Sequence, residues 1–203
     1  MVRVCLRRAM SALAVSAAAG AILVGAADNL SPQDAARMQQ KIALIARNAQ
    51  PAGSARARTQ IMEVELNSYL KYGLGDQMPA GVTDPAIVIV GDGRLSARAV
   101  VDLSLAGKES KSGGILDPLN YLTGRLPVTA AGVLRTKSGV GTFELDSASV
   151  SGVPIPKRVL QELLTVYSRS PADPDGLNLD EPFALPAGIR EIEIRPGQAI
   201  IVQ

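Results

Sequence analysis

The feature that most constrains this chain of 203 residues is a change in the period of its apolar positions. From Pro85 onward the period is two. Ala86 to Val90 is a short apolar run, Gly91-Asp92-Gly93 follows, and then Leu95, Ala97, Ala99, Val101, Leu103 and Leu105 alternate with Arg94, Ser96, Arg98, Val100, Asp102 and Ser104. Alternate side chains on a strand share a face, so this pattern predicts a β-hairpin whose second arm is apolar on one side and mostly polar on the other. Its inward alanines are small. A sheet face of that kind leaves room for a helix or a ligand to lie against it.

Two further hairpins are expected. One joins Gly124–Arg135 to Thr142–Ser151 around Lys137-Ser138-Gly139-Val140-Gly141, and the other joins Ile189–Arg195 to Gln198–Gln203 through Pro196-Gly197. Helices are expected around these strands. Ser31-Pro32-Gln33-Asp34 has the N-cap, first-turn proline and acid of a helix start, and Met38, Ile42 and Ile45 then lie on one face until about Ala49. This narrow stripe suits either a peripheral helix or a spacer between membrane and domain. A second helix runs from about Met62 to Tyr72, with Leu66, Tyr69 and Leu70 facing the core and Gly73 as its stop. A short one, interrupted near Pro118, spans 115–122. The strongest amphipathic signal is Lys157 to Ser168, where Val159, Leu160, Leu163, Leu164 and Tyr167 form a broad apolar face. Ser170 to Glu181 reads as an exposed loop. The order of elements predicts an α+β fold in which a curved antiparallel sheet packs against helices.

Composition removes most chemistry. The chain has no histidine, so Ser/His/Asp and Cys/His catalysis and histidine-ligated metals are excluded, and its one cysteine allows neither an internal disulfide nor a cysteine zinc site. Gly91-Asp92-Gly93 and Gly139-Val140-Gly141 lack the rest of a nucleotide-binding loop and lie where hairpin turns belong. Glu191 and Glu193 share a solvated strand face. Asp173, Asp175 and Asp180 miss the spacing of a calcium loop. Ser68 and Lys71 match a bare Ser-x-x-Lys spacing, on what reads as a solvated helix edge, without the accompanying motifs. No cofactor is expected.

The N-terminus reads as an address. Arg3, Arg7 and Arg8 precede an uncharged stretch from Ala9 to Ala27 that ends in small residues, the pattern of a cleaved secretory signal. A length close to the roughly 20 residues of a membrane span keeps an uncleaved anchor as the alternative. Cys5 lies ahead of the apolar run, so it is not a lipid-attachment cysteine. Removing residues 1–27 changes the formal charge from +2 to −1, because three arginines and no acid are lost. Without a basic patch, nucleic acid is not an expected partner. The expected organisation is residues 1–27 as signal or anchor, 28–55 as helix and linker, and 56–203 as one α+β domain.

Several segments carry a resemblance. Glu65-Leu66-Asn67-Ser68-Tyr69-Leu70, followed by Met78 to Ile89 with its Pro79-Ala80-Gly81-Val82, resembles the opening of the YceB-like periplasmic lipoproteins. Leu126-Pro127-Val128, the strand from Gly141 to Val150, and the ending Ile194-Arg195-Pro196-Gly197-Gln198-Ala199-Ile200-Ile201 follow in the same order as in that family. The family in turn resembles the tubular lipid-binding (TULIP) proteins. The resemblance implies a long curved sheet wrapped around an amphipathic helix, with an apolar groove for a lipid, and it implies no catalytic residues. The chain departs from the lipoprotein members in having no lipid-attachment cysteine.

The expectation is therefore an exported, periplasmic, non-enzymatic protein that holds a lipid or other apolar molecule between sheet and helix. Val101, Leu103, Leu160, Leu163 and Leu164 are the expected lining. The alternative is an envelope scaffold or interaction protein with a closed core, meeting the membrane or another envelope protein at its periphery.

Overall fold

Ser31 begins the first helix as its sequence predicts: its hydroxyl accepts from the Asp34 N–H at 3.1 Å and donates to the Asp34 carboxylate. The computed structural model describes residues 30–49, 57–102, 124–169, 176 and 178–203. The expected signal with Cys5, the short helix 115–122, Leu103, Asp173 and Asp175 lie outside these residues.

Helix α1 (Pro32–Asn48) buries Asp34, Ala35, Met38 and Ile45. Ile42 falls off this face, and the position beside it is taken by Lys41, whose ammonium reaches the buried Glu65 carboxylate at 2.6 Å. Met38 and Ile45 join Ile61, Ile189 and Ile201 in one apolar cluster, so α1 packs onto the rest of the fold. It lies against the fold as a peripheral helix does.

Strand β1 (Arg58–Met62) runs directly into α2 (Glu63–Tyr72). A short 3-10 turn, Gly75–Gln77, leads to β2 (Val82–Gly91) and β3 (Arg94–Asp102). Then come β4 (Arg125–Lys137), β5 (Val140–Val150), β6 (Val153–Pro154), α3 (Lys157–Ser168), β7 (Phe183–Ala184), β8 (Glu191–Arg195) and β9 (Gln198–Val202). Strands β2 to β6 form an open antiparallel sheet, with β7 added to β5 as its sixth strand. A separate three-stranded sheet has the order β1-β9-β8. The described residues thus form an α+β fold with three helices and an open antiparallel sheet.

All three expected hairpins are present. In the first, Asp92 and Gly93 have φ of 52° and 79°, the left-handed pair that suits a two-residue turn between twisted strands. Strand β2 begins earlier than the apolar run implies, because Pro85 sits at a register shift between Thr83 and Ala86 on a sheet edge, where a missing N–H is tolerated. Gly91 meets the closing hairpin: a Cβ there would lie 2.9 Å from Cδ of Pro196. The Gly197 N–H also donates to the Ile89 carbonyl at 2.8 Å, joining the two sheets at their turns.

Helix α2 differs from its reading. Leu66, Tyr69 and Leu70 are only half-buried, whereas Glu65, Asn67 and Ser68 are buried. Ser68, expected on a solvated edge, is instead fully enclosed and accepts a hydrogen bond from the Ser31 N–H at 3.2 Å. Lys71 is exposed and lies over the Tyr72 ring. The polar side is buried because α2 lies between α1 and the edge of β2, where backbone groups need partners. Asn67 receives the Ile87 N–H and donates to the Ile87 carbonyl, both at 2.7 Å, while the Glu63 carboxylate receives the Ile89 N–H at 2.6 Å.

Asp34 gives a pH prediction. The Ser31 hydroxyl holds its carboxyl below the ordinary 3.8, burial opposes this, and the Arg37 guanidinium adds to the lowering. A depressed carboxylate stabilises the fold above its unfolded pKa, and that contribution is lost as pH falls through the folded value. Far-ultraviolet circular dichroism is expected to show helix loss beginning below about pH 4. Ser31→Ala should lower stability at neutral pH and shrink this acid-dependent part, because the folded pKa returns toward the unfolded one; an unchanged pH dependence would show that the cap does not govern it.

Candidate functional site

Four of the five sequence-predicted lining residues, Val101, Leu160, Leu163 and Leu164, lie where α3 meets the inner face of the larger sheet, and Leu103 is outside the described residues. Antiparallel register places Leu95, Ala97, Ala99 and Val101 of β3 opposite Gly132, Ala130, Val128 and Leu126 of β4. Val128 and Ala130 in turn face Val150 and Ala148 of β5. Directly opposed residues project to the same side, so these positions form one face. At one end α3 covers it: Val159 and Leu163 pack with Val101 and Val150, and Leu160 packs with Ala148 and Leu179. At the other end the face is covered by Ile192, Ile194 and Ala199 of the closing hairpin and by Leu66 of α2.

Val101, Leu160 and Leu163 are 8%, 4% and 4% exposed, so these three are buried. Leu164 is half-buried and packs against the cluster of Ala148, Leu160 and Leu179, as do Leu145, Phe143 and Ile155. Between the two covered ends runs a row of small residues across three strands. Ala97 is exposed, its neighbour Ala130 is half-buried, and Ala148 is buried under Leu160. The row is a consequence of alternation, which the sequence displays, and of register, which it does not.

Polar groups hold α3 from outside the apolar layer. Lys157 pairs with Asp180, and the Gln161 side-chain carbonyl accepts the Leu179 N–H at 2.8 Å, holding Leu179 over Leu160. Asp180 is thereby engaged with a lysine. The clusters under α3 bring aliphatic side chains of helix and sheet together, with Phe143 packed against one of them. Among the described residues no group of three or more histidine, cysteine, aspartate or glutamate side chains is placed to hold a metal. This face can therefore act on a partner by desolvation and shape.

Two open clefts lie away from this face among the described residues, at places the sequence pattern does not mark. One of about 480 Å³ follows the seam between the sheets and is lined by Leu134, Thr136, Val140, Ile192 and Ile194 among others. Thr136 bridges that seam: its hydroxyl receives the Ile192 N–H at 2.8 Å and is placed to donate to the Ile192 carbonyl at 3.2 Å. The other, of about 340 Å³, opens on the outer face of the small sheet between Arg58, Lys137, Arg190 and Glu193. Glu193 is ion-paired with Arg58 at 2.5 Å and with Arg195 at 2.8 Å. The hydrogen bond from Arg58 is the main reason its carboxyl lies below the ordinary 4.5. The only sequence signal for this place is the shared face of Glu191 and Glu193. Its cations come from three separate parts of the chain.

Fold and site together define an α+β protein with an apolar layer between helix and open sheet and a charged outer cleft. Comparison with protein-family models, curated proteins and solved structures finds no match to this chain. Among the described residues no helix is long and apolar enough to cross a membrane.

Proposed function

We propose that this is an exported, non-enzymatic protein of the periplasm that holds a lipid or other long apolar molecule between α3 and the inner face of the larger sheet, as in the TULIP arrangement. The observation that carries this reading is the stretch of that face left exposed among the described residues. Ala97 stays exposed on an otherwise apolar surface, next to half-buried Ala99 and Ala130, although α3 covers one end and the closing hairpin the other. An acyl chain laid along this row would continue the layer formed by Val101, Leu160, Leu163 and Leu164. Each methylene it buries is worth about 0.8 kcal/mol and needs no polar partner.

A second reading rests on the closed state of Val159, Leu160 and Leu163, each 4% exposed. It is an envelope scaffold with a filled core, whose outer surfaces meet a partner protein or the membrane.

Uptake of a fluorescent fatty acid separates the two. Ala97→Trp fills the row at an exposed position, so the denaturation midpoint should stay within about 0.5 kcal/mol of wild type. Uptake should fall at least about tenfold, the equivalent of losing two buried methylenes. No uptake by either protein would leave the scaffold reading, and equal uptake by both would overturn the row beside Ala97 as the binding site. Native mass spectrometry of the full chain, looking for co-purifying lipid, gives a check free of the dye.

A further inference from the structure

The outer cleft holds more positive charge than its own acids neutralise. Register puts Arg58 of β1 and Glu191 of β8 on either side of Val202. The β4–β5 turn is held against the same place, because the Gly139 N–H donates to the Arg190 carbonyl at 2.9 Å and the Arg190 N–H to the Val202 carbonyl at 2.8 Å. Ser138, at φ 52°, is at the apex of that turn. Backbone hydrogen bonds therefore bring Lys137, Ser138 and Arg190 together independently of their side chains.

The ion pairs show which charges are committed. Glu193 is engaged by Arg58 and Arg195, whereas Lys137 and Arg190 have no ion-pair partner among the described residues. Two unpaired cations beside a shared third favour an anion, and an ammonium, a guanidinium fork and a hydroxyl suit the several oxygens of one tetrahedral group. Glu191 on the lining opposes any anion, and the three cations of the cleft outnumber its two carboxylates by one.

We propose that the cleft formed by Lys137, Ser138, Arg190 and Arg58 binds a phosphate-type oxyanion. This site is separate from the apolar face and does not depend on its having a ligand. The phosphate group could belong to a free phosphorylated small molecule or to a lipid headgroup at a membrane surface.

The test uses the full chain and the double variant Lys137→Gln/Arg190→Gln, both exposed positions outside the apolar layer. Inorganic phosphate is titrated calorimetrically, and vesicles of phosphatidylcholine with and without phosphatidic acid are tested by co-sedimentation. Wild type should bind phosphate, weakening as salt rises, and the variant should bind at least about tenfold less tightly with an unchanged unfolding midpoint. Sedimentation that requires phosphatidic acid and is lost in the variant assigns the group to a lipid headgroup. Phosphate binding without vesicle binding assigns it to a free ligand. Equal binding by both proteins, or binding of neither probe by wild type, overturns the proposal.

Discussion

Replacing Asn67 with leucine is expected to lower stability by about 4 kcal/mol, as the N–H and carbonyl of half-buried Ile87 lose their partners at about 1–3 kcal/mol each. Asn67 is 5% exposed and its amide acts as an extra strand, receiving the Ile87 N–H and donating to the Ile87 carbonyl. Leucine has comparable bulk and offers neither function. Against the roughly 5–15 kcal/mol of a typical domain this is a large fraction, readable as a fall in the urea midpoint. Asn67→Asp keeps the acceptor and sets a carboxylate against the Ile87 carbonyl, so it should also destabilise. A second readout follows from the position of β2 at the sheet edge. Uncovered edges template pairing with other chains, and the leucine variant should scatter light on mild heating where wild type does not. A loss under about 1 kcal/mol without scattering would show that α2 does not cap this edge.

Gly132→Ala is expected to cost about 3 kcal/mol, at the upper end for an overpacked interior. A Cβ at Gly132 would lie 2.6 Å from Phe143 Cζ and closer still to the Glu144 carbonyl oxygen. The ring can turn, but the carbonyl belongs to the paired strand, at the register shift between Ala131 and Gly132, so β4 and β5 must part. Gly152→Ala is the control. That residue has φ of 79° with nothing within 4 Å of an added methyl, so only the left-handed strain of about 1–2 kcal/mol applies. Equal costs at the two positions would refute the steric account of Gly132.

The hairpins were legible because the information in them is local. Apolar alternation and glycine at left-handed turn positions specify an antiparallel arm without reference to the rest of the chain. Strand β1 was missed for the opposite reason. Arg58-Thr59-Gln60-Ile61-Met62 is short and half polar, and it is a strand because β9 offers it a register from Arg58 opposite Val202 to Met62 opposite Gln198. Helix α2 was placed well and its buried side was not. Leu66, Tyr69 and Leu70 carry the apolar signal, while the side that is enclosed is chosen by the unpaired edge of β2 and by α1.

The predicted lining residues Val101, Leu160, Leu163 and Leu164 do meet under α3, since an amphipathic helix and an alternating strand must bury their apolar sides against something. Whether such a layer has a vacant stretch depends on which rows of small residues register brings side by side. Ala97 and Ala130 are 33 positions apart in the chain and adjacent in the sheet. The cationic cleft has the same origin, with Arg58, Lys137 and Arg190 gathered from three strand ends by backbone hydrogen bonds. The sequence by itself determined the helices, the hairpins and the exclusion of histidine and disulfide chemistry, because these follow from residue type and short-range periodicity. Tertiary structure alone decided which polar groups are buried, where the sheet stays open and which charges converge, because those depend on strand registers set by contacts far apart along the chain.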